Sequence, residues 1–145
     1  MKELALLAAS IALVGAVAAS GVSAMTPRTA VTVHSSRYGK ILFDGHGRVL
    51  YLFARDRGGH SSCSGACAKA WPPYLTTGAP KALSGINAKL LGTTKRSDGK
   101  LQVTYARHPL YYYRGDTKPG QIKCQNVSEF GGLWLVVAPS GKPVR

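Results

Sequence analysis

The stretch Val49-Leu50-Tyr51-Leu52-Phe53-Ala54-Arg55-Asp56 decides how the chain is read, because it returns 60 residues later as Pro109-Leu110-Tyr111-Tyr112-Tyr113-Arg114-Gly115-Asp116. Both copies read Leu-Tyr-x-aromatic-x-x-Asp, the mark of an internal repeat. Strand residues alternate between two faces, which puts Tyr51 and Phe53 on one and Leu52 on the other. A hairpin signal precedes each copy. In the first, Ile41-Leu42-Phe43 is followed by Asp44-Gly45-His46-Gly47 and then by residues 48–53; in the second, residues 90–96 are followed by Asp98-Gly99 and then by residues 100–105. Asp-Gly between apolar runs predicts a tight turn, since glycine accepts the positive φ that such turns require.

Outward from the motifs, residues 29–33 alternate Thr with Val, and residues 133–138 form an apolar run ending at Pro139-Ser140-Gly141. Each predicts a flanking strand. A short helix is expected over 86–91, bracketed by Gly85 and Gly92. The expected fold class is all-β, mainly antiparallel, with two diverged repeats and little helix beyond the leader. The organisation that follows is a signal peptide at 1–24, an N-terminal extension or first strand at 25–38, repeat 1 at 39–76, a connector at 77–85, repeat 2 at 86–140 and a tail at 141–145. A chain of 145 residues suits one compact domain formed by both repeats.

The leader reading rests on residues 4–19, where only Ser10 and Gly15 interrupt Leu, Ile, Val and Ala. Val22-Ser23-Ala24 fits a signal peptidase site, and Met25-Thr26-Pro27 breaks any helix, so cleavage after Ala24 is expected. The alternative is an uncleaved anchor, although a spanning helix needs about 20 apolar residues and this run is shorter. No cysteine lies near the cleavage point, so lipid attachment is not expected. The protein is placed in the periplasm, the cell envelope or the extracellular space.

The formal net charge is +13. Beyond the leader the acids are only Asp44, Asp56, Asp98, Asp116 and Glu129, while the cations are scattered, with no run longer than Lys95-Arg96. This is a general positive field and not a discrete basic arm. Outside a cytoplasm the polyanions it meets are anionic envelope polymers and phospholipid surfaces; nucleic acid is not an expected partner.

Three cysteines remain: Cys63, Cys67 and Cys124. An oxidising compartment favours disulfides over metal thiolates. Cys63 and Cys67 lie close together in a Ser/Gly-rich loop and are expected to pair, leaving Cys124 free; the competing bond, Cys67 to Cys124, would tie the repeats together.

With these segments in place, the sequence resembles a bacterial family of secreted proteins and predicted lipoproteins, the secreted repeat of unknown function. Tyr51, Phe53 and Asp56 fill one copy of its motif; Tyr111, Tyr113 and Asp116 fill the other. Its Cys-x-x-x-Cys-x-x-x-Trp-Pro-Pro segment stands here as Cys63 to Pro73, and Trp134 follows a glycine pair as in the family repeat. The resemblance spans residues 39–140. It implies an envelope or extracellular location and a β-rich fold, and it implies no reaction. The absent lipidation cysteine and Cys124 both depart from the pattern.

Asp56 and Asp116 form a symmetric pair of carboxylates, which invites an acid and base reading. Their position, after an aromatic strand and before a loop, favours turn capping through backbone N–H groups, and no catalytic residue is expected. Tyr51, Phe53, Tyr111, Tyr112 and Tyr113 are expected in the core. The functional alternative is an aromatic-lined groove for a flat or sugar-like ligand, because one member of the tyrosine triplet must face outward. Trp71, Tyr112 and Trp134 are the candidates for such a ligand or partner surface. His60, Cys63 and Cys67 offer a low-ranked copper or zinc site, two members of which a disulfide would remove. No cofactor is expected, and the hydrolase, phosphate-loop and zinc-protease signatures are absent. The reading is therefore a secreted or periplasmic, non-enzymatic, envelope-associated binding module, whose partner is an anionic polymer, a phospholipid surface or another envelope protein. The alternative is an exported redox or metal-handling protein using His60, Cys63 and Cys67.

Overall fold

A computed structural model describes residues 29–145; the expected signal peptide over 1–24 and residues 25–28 lie outside the described residues. In chain order the elements are β1 (Ala30–Ser36), β2 (Gly39–Asp44), β3 (Tyr51–Phe53), α1 (Ala66–Ala70), β4 (Leu75–Thr76), β5 (Lys81–Ala82), one turn of 3-10 helix (Ala88–Leu90), β6 (Leu91–Lys95), β7 (Leu101–Tyr105), β8 (His108–Pro109), β9 (Val127–Glu129) and β10 (Gly132–Val136). The all-β expectation holds, and nearly every strand pair is antiparallel.

Each repeat opens with a hairpin. β1 and β2 pair in the register Val33↔Leu42, and β6 and β7 pair as Thr93↔Val103. Asp98-Gly99 turns the second, closed by Arg96 N donating to Lys100 O. Asp44-Gly45 also turns, with Asp44 N donating to Arg48 O and a bridge at Phe43↔Val49. There the chain leaves β2, and the motif strand β3 pairs instead with β10, from the end of the second repeat, as Tyr51↔Val136 and Phe53↔Trp134. The second motif does the reverse: Tyr111 bridges Pro73, and Tyr112 N donates to Pro72 O, at the end of the first repeat.

The two motifs meet at a local two-fold axis, where Tyr51 N donates to Tyr111 O and Tyr111 N to Tyr51 O, both at 2.9 Å. The symmetry extends outward. Leu50 N bonds Leu42 O as Leu110 N bonds Val103 O, and Ala54 N bonds Leu133 O as Arg114 N bonds Ala70 O.

Both faces of β3 are buried, and this shapes the core. Tyr51 and Phe53 pack with Trp71, Tyr111 and Trp134 on one side, while Leu50 and Leu52 pack with Val103, Tyr105, Leu110 and Leu135 on the other. Such a strand reads as a continuous apolar run because neither face meets water. Trp71 and Trp134 are 0 % exposed and stack with ring centres 4.0 Å apart. Burying one tryptophan removes roughly 200 Å² from water, a hydrophobic gain of about 5 kcal/mol before entropy is counted.

Three local expectations change. The helix over 86–91 shrinks to the 3-10 turn, which Asn87 caps by accepting Lys89 N at 3.0 Å. The five-residue helix α1 forms within a segment that reads as loop. Residues 77–85 contain β5, which pairs in parallel with β1 at Ala30↔Lys81.

Candidate functional site

The pattern that recurs within the chain is the Tyr and Asp of the motif, and the fold exchanges them. Asp56 closes a turn by its N–H donating to Phe53 O, and Asp116 does the same on Tyr113 O. One oxygen of each then gathers the following loop: Asp56 Oδ1 accepts Ser62 N at 2.7 Å and Ser62 Oγ at 2.8 Å, and Asp116 Oδ1 accepts Lys123 N at 3.0 Å. The other oxygen crosses to the opposite repeat. Tyr111 Oη donates to Asp56 Oδ2 at 2.7 Å, and Tyr51 Oη donates to Asp116 Oδ2 at 2.6 Å.

All four groups are buried. Burial pushes the Tyr51 hydroxyl far above the usual tyrosine range, and its bond to Asp116 adds to the effect. Tyr111 is raised by burial and by the charge of Asp56. These hydroxyls keep their protons at any ordinary pH and serve as fixed donors. Tyr111 has a single proton, which Asp56 takes, so the Ser61 hydroxyl 2.8 Å away donates to the Tyr111 oxygen. The carboxylates are thus committed to buried, charge-assisted bonds, each stronger than a neutral one.

An arginine from each hairpin braces the same loops. Arg96, 8 % exposed, donates to Ser61 Oγ at 2.9 Å, Gln102 Oε1 at 2.7 Å and Cys63 O at 2.7 Å. Arg37 reaches Ile122 O in the second repeat. Cys63 follows the residue whose N–H caps Asp56, and Cys124 follows the residue whose N–H caps Asp116, so the two cysteines occupy equivalent places. Cys63 is bonded to Cys67 on α1. The second repeat has β9 in place of α1 and no second cysteine there, which leaves Cys124 free and half-buried. Burial raises its thiol pKa. Tyr113 packs against the same core cluster, and the neighbouring Cys124 thiol pushes its hydroxyl up to about 12.

For the metal alternative, the Cys63–Cys67 bond occupies both sulfurs, and His60 Nδ1 lies 3.3 Å from Thr94 Oγ1. Among the described residues no three His, Cys, Asp or Glu side chains converge as a metal site. The expected aromatic surface is also corrected. Trp71 and Trp134 are fully buried, because they stack on each other across the two-fold axis and meet Tyr51 and Tyr111 edge-on. Tyr112 is half-buried and held from three sides: its hydroxyl donates to Asp44 Oδ2 at 2.7 Å, Arg48 lies 4.3 Å over its ring, and Tyr74 meets its edge. Two members of the triplet border open space: Tyr112 on a cavity of about 250 Å³ shared with Ala30, Asp44, His46 and Tyr74, and Tyr113 on one of about 300 Å³ shared with Ala70, Arg114, Gly115 and Glu129.

Two segments, residues 32–74 and 92–138, match the family described as a secreted repeat of unknown function, and together they cover more than half of the chain. The chain belongs to that family. Each secreted repeat thus begins in a hairpin and ends just past a tryptophan, Trp71 in the first and Trp134 in the second. The family places the protein among secreted proteins and assigns no activity. No curated protein and no solved structure matches the chain.

Proposed function

We propose that this secreted protein is a non-enzymatic, envelope-associated binding module that holds an anionic envelope polymer through its surface charge. The observation that carries the reading is where the acids go. Asp44, Asp56 and Asp116 are 6 %, 9 % and 3 % exposed, and each accepts a tyrosine hydroxyl. Glu129 is half-buried and accepts the Trp71 indole N–H at 2.8 Å. Of the acids beyond the leader, only Asp98 is exposed, at the tip of the β6–β7 hairpin. Lys40, Lys81, Lys95, Lys100, Lys118 and Lys142, among others, face solvent. Burying the acids leaves the surface more one-sided than the net charge of +13 conveys. Such a field draws in polyanions and releases their counterions, so affinity falls steeply with salt. In this reading the leader is removed after Ala24 and the mature chain carries no lipid.

The test is to purify the exported protein, record its intact mass, and measure binding to immobilised polyphosphate and polygalacturonate, with neutral dextran as control. A mass lacking residues 1–24, salt-sensitive binding to the polyanions and none to dextran are expected. Failure to bind either polyanion at 20 mM salt would refute the reading.

A further inference from the structure

The local two-fold axis supplies an internal comparison, and the symmetry breaks at the third aromatic of the motif. In the first repeat Phe53 is 2 % exposed: it stacks on Trp134 at 4.1 Å, and Gly132 of β10 lies against its ring, with Arg55 beside the same glycine. Arg55 donates to Phe130 O at 3.2 Å, and its Cβ lies 3.0 Å from where a Cβ on Gly132 would sit. In the second repeat Tyr113 takes the place of Phe53, packing on Trp71 at 4.7 Å, but Gly115 stands where the first repeat has Arg55. Tyr113 is only half-buried there, and the cavity of about 300 Å³ opens beside it.

The ring is held firmly. Trp71 backs it, and Gly115 lies so close that an added Cβ would come within 2.3 Å of Tyr113 Cε1. The remaining walls are polar and of opposite charge: the exposed guanidinium of Arg114 and the carboxylate of Glu129, one oxygen of which is tied to the Trp71 indole. A rigid aromatic face suits the C–H face of a sugar ring, a carboxylate oxygen accepts a hydroxyl, and a guanidinium binds a carboxylate or phosphate.

We propose that the Tyr113 cavity is a subsite for one pyranose ring bearing an acidic substituent, within an anionic envelope glycopolymer. Tyr113 stacks on the ring, Glu129 accepts a ring hydroxyl and Arg114 donates to the acidic group. The proposal rests on the polyanion-binding reading and adds to it a requirement for a sugar.

The experiment compares an octamer of galacturonic acid with polyphosphate as ligands of the whole mature protein, by calorimetry at fixed salt. Tyr113→Ala and Arg114→Ala should each weaken octamer binding about tenfold, the scale of one good aromatic or charge-assisted contact. Polyphosphate affinity should stay within about threefold. Tyr113→Phe keeps the ring and should bind the octamer as the parent does, which controls for the loss of the hydroxyl. Unchanged octamer binding by Tyr113→Ala, or an equal loss for both ligands, overturns the subsite. A parent protein that binds polyphosphate and not the octamer also overturns it while leaving the polyanion reading standing; binding to neither removes both.

Discussion

Tyr51→Phe tests the exchanged Tyr–Asp bonds with the smallest change available. The ring stays, fully buried, and only the hydroxyl that donates to Asp116 Oδ2 at 2.6 Å is lost. A buried hydrogen bond to a charged group is worth about 2 kcal/mol, and its deletion leaves a carboxylate oxygen without a donor where water does not reach. For a domain of this size the melting temperature should fall by roughly 8 °C. The denaturant midpoint should fall without a change in slope, because the surface exposed on unfolding is the same. The sharper measurement is a pair of double-mutant cycles. Tyr51→Phe should couple to Asp116→Ala by about 1 kcal/mol or more, and to Asp56→Ala, the acid of its own motif, by less than about 0.5 kcal/mol. Coupling of Tyr51 to Asp56 in place of Asp116, or a Tyr51→Phe cost under about 0.5 kcal/mol, would refute the exchange.

Three further outcomes follow from the same core. Trp134→Ala removes a fully buried indole stacked on Trp71 at 4.0 Å and should cost about 4 kcal/mol, with loss of the near-ultraviolet circular dichroism of the pair. Tyr51, Tyr111 and Tyr112 have pKa values raised by burial above the ordinary tyrosine value of 10.0, so the unfolded chain loses these protons first. Their contribution to stability is complete below pH 10 and is lost as pH rises, and their absorbance at 295 nm should rise together with alkaline unfolding and not before it. His108 has its pKa lowered from 6.5 by burial, so below that pH the unfolded state binds the extra proton. Stability should decline on acidification from neutral pH, and His108→Gln should flatten that part of the curve in denaturant titrations at pH 5 to 7.

What the sequence made legible was local. Asp98-Gly99 and Asp44-Gly45 carry their turns because a specific backbone geometry demands those residues; the first closes the β6–β7 hairpin, and the second closes only a short bridge at Phe43↔Val49 before the motif strand departs. The turn between β7 and β8 was hidden, since it is built by Ala106 at φ 48° and Arg107 at φ 66°, with no glycine or asparagine to announce it. The helix α1 is only five residues long and too short to show a helical period. The alternation in the motif places side chains on faces but names no partner strand. For that reason the pairing of β3 with β10, across the repeats, was not readable. A recurring Asp signalled a fixed structural duty, yet nothing in the sequence matched Tyr111 to Asp56 over Asp116. Counting from each Asp to the next cysteine would have flagged Cys124 as the counterpart of Cys63, one residue further along.

The exchange explains why the motif needs two copies. A lone repeat would leave its tyrosine hydroxyl without an acceptor, one oxygen of its aspartate without a donor and its tryptophan without the ring it stacks on, so the folding unit is the pair. Positions that obey the two-fold axis are therefore held by the fold: Tyr51 with Tyr111, Asp56 with Asp116, Trp71 with Trp134. Positions that break it are free of that duty. The disulfide stands on one side only, and the open aromatic on the other, where Gly115 replaces Arg55 and exposes Tyr113 to Arg114 and Glu129. Stability alone asks for neither difference, because the same architecture closes over Phe53 on the opposite side. Function in this protein is to be sought where the two repeats disagree.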